Sequence, residues 1–263
     1  MSTVKLHSAV YGESGPDVLV LHGLFGMGDN WATLARRWSS TKGWRVHTLD
    51  LRNHGQSPRS WEHNYSVMAA DVRQYIDDHG LLLQGKRPHW IGHSMGGKVA
   101  MFGACLYPEA IASLVVVDMA PREYPPHHQV IFDAIGSIDF SIHTSRQAVE
   151  TALTPLIPHL GVRQFLAKNI GRPTPDTLDW KFHWAVLKKE YAEITVPLPA
   201  QAQSSVPALF VRGALSGYIE DSDWENIQDH FPAAKLVTIA NAGHWVHAEQ
   251  PEAFASAIEQ FIQ

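Results

Sequence analysis

The sequence predicts an α/β fold: a mostly parallel sheet with helices on both faces. Three observations carry that expectation. Short apolar, β-branched runs ended by turn residues recur along the chain; helical stretches with one apolar face separate them; and a long helical, proline-rich segment interrupts the alternation after residue 120.

The runs with the look of buried strands are Asp17 to Leu21, Trp44 to Leu49, Pro88 to Ile91, Ser113 to Val117, Ala208 to Val211 and Lys235 to Ile239. Between them, Ser66 is placed to cap a helix that carries Met68, Val72, Tyr75 and Ile76 on one face and ends at Gly80. Pro251 suits the first turn of a last helix that buries Phe254, Ala257, Ile258 and Phe261. A TIM barrel shares this alternation, but the interruption argues against it. Residues 121–205 lose the strand pattern and read as a helical cap inserted between two strands, leaving 1–120 and 206–263 as the core.

Composition narrows the function. The chain has 263 residues and a formal charge of −5, with no basic block of the kind that neutralises phosphates, so neither nucleic acid nor an anionic membrane is an expected partner. Cys105 is the single cysteine, which excludes an internal disulfide and fits a cytoplasmic setting. No signal-peptide-like run opens the chain, and no stretch is apolar for long enough to span a bilayer. Sixteen histidines raise the question of a metal, but they are dispersed, without His-Glu-x-x-His or Cys-x-x-Cys spacing, so no metal is expected.

The most specific signal is Gly92-His93-Ser94-Met95-Gly96, between a strand-like run and a helix-like one. A sharp strand-to-helix turn needs small residues at Gly92 and Gly96 and pushes the Ser94 hydroxyl out above the sheet. An attacked carbonyl gains negative charge on oxygen, and charge needs donors. The N–H of Met95, at the positive end of a helix, is one; the N–H of Leu24, in His22-Gly23-Leu24-Phe25-Gly26 after an early strand, is the other.

A serine hydroxyl needs a base, and His244 in Ala242-Gly243-His244-Trp245 follows the last strand run. His247 is second choice, and His93 is read as structural. The acid that orients the histidine belongs between nucleophile and base in chain order. Asp118, a carboxylate ending an apolar strand, is preferred; Ser216, where many relatives carry Asp, is an auxiliary partner; Asp221 and Asp223 are expected to begin a helix instead. Phe25, Met119, Trp184 and Trp245 are candidates to line an apolar substrate pocket. Asp50, Arg52 and His54 read as a structural cluster, and Lys98 as a structural lysine despite standing one turn after Ser94.

Taken together, His22-Gly23-Leu24-Phe25-Gly26, Asp50-x-Arg52-Asn53-His54-Gly55-x-Ser57-Pro58, Gly92-His93-Ser94-Met95-Gly96-Gly97-Lys98 and Gly243-His244-Trp245-Val246-His247-Ala248-Glu249 resemble the YbfF-type esterases of the α/β-hydrolase superfamily, nearly end to end. The resemblance implies an α/β-hydrolase fold and cofactor-free hydrolysis of short to medium acyl esters; a monomer or homodimer is expected. It carries the nucleophile to Ser94, the base to His244, the acid to Asp118 and an auxiliary serine to Ser216. An acyl-thioesterase, a perhydrolase or a C–C bond hydrolase is the alternative on the same machinery, and a non-catalytic small-molecule receptor is the alternative outside enzymes. Haloalkane dehalogenases and epoxide hydrolases are disfavoured, because they need Asp where Ser94 stands.

Overall fold

A computed structural model describes residues 2–262. Its main sheet holds strands β1 (Ser8–Tyr11), β2 (Asp17–Leu21), β3 (Arg45–Leu49), β4 (His89–His93), β5 (Leu114–Val117), β8 (Ala208–Gly213) and β9 (Lys235–Ile239), while β6 (Ile170–Thr174) and β7 (Thr177–Trp180) form a separate hairpin. The sheet order is β1-β3-β2-β4-β5-β8-β9, with β1 antiparallel to β3 and every other neighbouring pair parallel. The helices are α1 (Ala32–Lys42), α2 (Tyr65–Asp78), α3 (Met95–Leu106), α4 (Gln129–Gly136), α5 (Arg146–Leu153), α6 (Leu160–Lys168), α7 (Trp184–Lys189), α8 (Asp223–His230), α9 (Val246–Glu249) and α10 (Pro251–Phe261).

The central strands are apolar throughout because both of their faces are covered. Leu19, Leu21, Trp90, Leu114, Val116 and Phe210 point into one buried cluster, with residues of α2 and α3. Their neighbours Val18, Val20, Ile91, Val115, Val117 and Val211 point into the other, with residues of α1 and α10. The period of two along each strand therefore divides two cores rather than core from water.

The strand runs read from the sequence are all present, with ends moved by one or two residues, but β1 was not among them. It is a four-residue edge strand, largely half-exposed, and too short to show a pattern. Two local expectations are corrected. Ser66 lies inside the first turn of α2, and the cap is Asn64, whose extended backbone (φ −143°, ψ 167°) lets its side chain accept from the Val67 N–H at 3.0 Å. The stretch between β5 and β8 is not free of strands: besides α4 to α7 it carries the β6–β7 hairpin, whose lack of alternating burial and Pro173 hide it from a strand template. This stretch builds its own apolar cluster from Phe132, Ile135, Leu166, Trp180 and Phe182, and Phe25 joins it from the loop after β2.

Between β2 and β4 the sheet changes direction of winding, so the loops after these two strands separate at their carboxyl ends. No described helix is long and apolar enough to cross a membrane.

Candidate active site

The turn after β4 has the geometry its glycines imply. A Cβ on Gly92 would run into the Gly96 carbonyl, and one on Gly96 into the Leu21 carbonyl. Ser94 occupies the left-handed region at φ 53°, where a non-glycine residue is held only if its surroundings dictate it. Phe25 (φ 60°) and Asp118 (φ 50°) are left-handed as well, so strained backbone gathers around one place.

The loop after β2 runs directly beside this turn: a Cβ on Gly23 would sit 3.2 Å from Ser94 Cβ. Two buried histidines hold the loop. His22 Nδ1 donates to the Gly23 carbonyl at 2.8 Å and Nε2 accepts from the Leu51 N–H at 3.0 Å. His54 Nδ1 donates to the Arg52 carbonyl at 2.9 Å and Nε2 accepts from the Phe25 N–H at 3.3 Å. Burial drives their pKa values down to about 4 and about 3, so both act as neutral rings that use one donor and one acceptor each. With the Phe25 N–H engaged, the N–H groups of Leu24 and Met95 make no hydrogen bond among the described residues. They are donors available to a ligand.

Asp50, Arg52 and His54 do structural work here. Asp50 accepts from the N–H groups of Gly28 at 2.7 Å and Gln56 at 2.8 Å, and fully buried Arg52 makes a two-point pair with Asp71 at 2.6 and 2.8 Å. Lys98 donates to three backbone carbonyls, Pro121 at 2.9 Å, Arg122 at 2.6 Å and Val196 at 2.8 Å, and burial brings its pKa down to about 7. It thus ties both ends of the segment between β5 and β8 to the helix that begins after Ser94.

Asp118 ends β5 and is fully buried. Its Oδ1 accepts from the Gly213 N–H at 3.1 Å; its Oδ2 accepts from Ser216 Oγ at 2.5 Å and from His244 Nδ1 at 2.7 Å. Asp221 instead pairs with Arg212 at 2.6 Å, and Asp223 begins α8 and pairs with Arg122 at 2.9 Å, so neither holds a histidine. His244 is fixed on two further sides. The ring of Tyr218 stacks on it at 3.8 Å and 18°, and His93 Nε2 donates to its backbone carbonyl at 2.9 Å. His247 lies stacked on Trp31 at 4.1 Å, and burial, aided by His244, lowers its pKa to about 3.

Ser94 and His244 line the same cavity, of about 230 Å³, together with Leu24, Phe25, Phe165 and Trp245. A second cavity of about 30 Å³ also opens on Ser94 and is walled by Met95, Met119, Tyr65 and Ile194. Trp184 lines neither; it packs with the cluster between β5 and β8, against Gly136 of α4. The Ser94 hydroxyl makes no hydrogen bond among the described residues, and with His244 Nδ1 taken by Asp118, Nε2 is the ring nitrogen left to act. Several contributors escape sequence reasoning because their contacts cross long stretches of chain. Asn169 Nδ2 donates to the Phe25 carbonyl at 2.7 Å, and Tyr218 donates from its hydroxyl to His127 Nε2 at 2.6 Å. Among the described residues, no group of three or more His, Cys, Asp or Glu side chains is gathered as the ligands of a metal ion would be.

The comparisons agree with this architecture. Residues 16–148 match the family model of the alpha/beta hydrolase fold. The chain is 34% identical to esterase YbfF of Escherichia coli over 98% of both chains, and 33% identical to the mouse sn-1-specific diacylglycerol lipase ABHD11 over 94% of this chain and 81% of that one. Among solved structures it is similar to a marine microorganism esterase, with 37% identity, a TM-score of 0.94, and coverage of 99% of this chain and 100% of that one. The protein belongs to the α/β-hydrolase family, among its YbfF-type esterases.

Proposed function

We propose that the protein is a serine carboxylesterase in which Ser94 is the nucleophile, His244 the general base and Asp118 the acid, with Ser216 as auxiliary. The observation that carries this reading is the 2.7 Å bond from His244 Nδ1 to the buried Asp118, on a histidine that shares a cavity with Ser94. His244 Nε2 takes the Ser94 proton as Oγ bonds to the ester carbon, and the N–H groups of Leu24 and Met95 hold the oxyanion. The carbon–alkoxy bond then breaks, His244 protonates the leaving oxygen, and the same ring activates water to release the acid. Segment 121–205 acts as a cap, with Phe25 and Trp245 lining the substrate cavity beneath it. The names of the relatives, esterase and diacylglycerol lipase, support carboxylic esters as the substrate class. A cytoplasmic setting belongs to the same reading, supported by a chain with one cysteine and no means of forming an internal disulfide.

The test is Ser94→Ala on p-nitrophenyl acetate, with fluorophosphonate labelling of the parent. Turnover falls by about a millionfold, equivalent to ~8 kcal/mol of barrier, if the residues act as a unit. A variant that keeps most of its turnover overturns the assignment, and a parent that turns over no ester and takes up no label is a receptor instead.

A further inference from the structure

Ser94 stands between two cavities of very different size, and only the larger, of about 230 Å³, is lined by His244. From this we propose that the small cavity walled by Met95, Met119, Tyr65 and Ile194 is the acyl site and the large one the alcohol site, so that the substrates are short, uncharged acyl esters of bulkier apolar alcohols. The inference rests on the serine-esterase reading above and narrows it to a substrate class.

The argument is one of proton delivery. In the tetrahedral intermediate the carbonyl carbon bears four groups: Ser94 Oγ, the oxyanion, the acyl chain and the alkoxy oxygen. When the carbon–alkoxy bond breaks, the electron pair leaves with that oxygen, and the proton it accepts comes from His244 Nε2. The alkoxy group therefore lies on the side that His244 lines, which is the large cavity. The acyl chain is left with the other opening.

That opening is small and chemically plain. At about 30 Å³ it holds roughly two water-sized groups, which suits an acetyl or propanoyl chain. The hydroxyls of its tyrosines and threonine are already bonded within the protein. Tyr65 donates to the Ile194 carbonyl at 2.5 Å, Tyr124 to the Tyr218 carbonyl at 2.5 Å and Thr195 to the Ala192 carbonyl at 2.9 Å, while Tyr191 bonds to His128 Nδ1 at 2.6 Å. The nearby cations are engaged too: Lys98 by three carbonyls, Arg122 by Asp223. An acyl chain ending in a carboxylate would find no free cation there, and with the Leu24 and Met95 N–H groups given to the oxyanion it would be desolvated with little compensation. The large cavity, by contrast, offers Phe165, Val162, Ile131 and Trp245 to an apolar alcohol.

The experiment measures kcat/KM for two ester series. With p-nitrophenol fixed, the acyl group runs through acetate, butanoate, octanoate and dodecanoate; with acetate fixed, the alcohol runs from methanol to 1-naphthol. The expected result is a fall of at least about tenfold from butanoate to octanoate, since a methylene that does not fit is worth about 10–200-fold. Naphthyl acetate remains a better substrate than methyl acetate. Ile194→Ala raises the octanoate-to-acetate ratio by at least about tenfold, whereas Phe165→Ala leaves that ratio unchanged and lowers the naphthyl-to-methyl ratio. If Ile194→Ala does not fold, Met119→Ala, in the same wall, reads out the same ratio. Octanoate turned over as well as acetate by the parent, or an acyl ratio that responds to Phe165→Ala and not to the small-cavity variants, overturns the assignment while leaving the serine esterase intact. If no ester is hydrolysed and a fluorophosphonate does not label Ser94, both readings fall.

Discussion

Replacing Asp118 by asparagine keeps the shape of the side chain and removes its charge, and the structure dictates how the amide must sit. Oδ1 accepts from the Gly213 N–H, so the amide oxygen stays there and the NH2 group takes the place of Oδ2. That is the atom to which Ser216 Oγ and His244 Nδ1 both bond. His244 Nδ1 must then accept rather than donate, its proton moves to Nε2, and the ring can no longer take the proton of Ser94. The wrong tautomer costs about 10⁴-fold in kcat in a triad of this kind, or ~5.5 kcal/mol of barrier. Ser216→Ala removes one of the three bonds to the carboxylate but leaves its charge and its bond to His244, so the expected loss is only about tenfold, or ~1.4 kcal/mol. Both variants are measured on p-nitrophenyl acetate at neutral pH, with rates scaled to the fraction of Ser94 that a fluorophosphonate labels at saturation. An Asp118→Asn enzyme within tenfold of the parent, beside a Ser216→Ala enzyme reduced a thousandfold, would refute the reasoning and make the serine the main partner.

Other expectations follow from the surroundings of the site. Lys98→Met leaves the Arg122 and Val196 carbonyls without a donor, at about 1–3 kcal/mol each, while the Pro121 carbonyl keeps the Leu198 N–H; the thermal midpoint drops while turnover per labelled site stays within about tenfold. Lost turnover with unchanged stability would instead make Lys98 a participant in the chemistry. Tyr218→Phe keeps the ring stacked on His244 and retains most activity, whereas Tyr218→Leu, which removes the ring, loses about tenfold in kcat, and equal rates for the two would deny the stack a role. His22 and His54 are neutral in the fold down to about pH 4 and about pH 3, but in the unfolded chain they take up protons near 6.5. Their contribution is complete above pH 6.5 and is lost as pH falls through that window, on the order of 1 kcal/mol per group per pH unit. Urea midpoints measured from pH 7.5 to 4.5 should decline accordingly. The contribution of the pair at Asp17, whose pKa is lowered from 3.8 to about 2, is lost only as pH falls between those two values, so a profile flat down to pH 4 would show that the buried histidines do not matter.

What the sequence makes legible is what lies close together along the chain. The β4–Ser94–α3 turn reads directly, because Gly92 and Gly96 flank Ser94 and their need for space is a local matter. Asp118 reads as unusual because a carboxylate ends a run of valines. Contacts between distant segments leave no such trace. Nothing near Asn169 says that its amide reaches Phe25, and nothing near Tyr218 says that its ring lies flat on His244. Trp184 illustrates the opposite error. An aromatic residue near the end of the cap suggests a substrate contact, but the cap needs large side chains to fill its own cluster, and the indole goes there. The β6–β7 hairpin escapes for a related reason, since it buries only Ile170 and Trp180 at its open end and so has no alternation to show.

The abundance of histidine has a physical account in the same geometry. His22, His54, His93, His128 and His247 all surround the Ser94 region, and burial pushes the pKa of each below its ordinary value. Of these, His22, His54 and His93 behave as neutral hydrogen-bonding units, bracing the loop after β2 and the backbone of His244 without bringing charge near the nucleophile. His244 differs from them in one respect: its Nδ1 meets a carboxylate, and that carboxylate can offset a positive ring. A proton lifted from Ser94 therefore has one imidazole on which to rest, and the neighbouring five disfavour its passing further. On this view the carboxylate selects the working ring: His247→Phe should keep turnover of p-nitrophenyl acetate within about tenfold of the parent, whereas Asp118→Asn should lose about 10⁴-fold, and equal losses would deny the carboxylate that role.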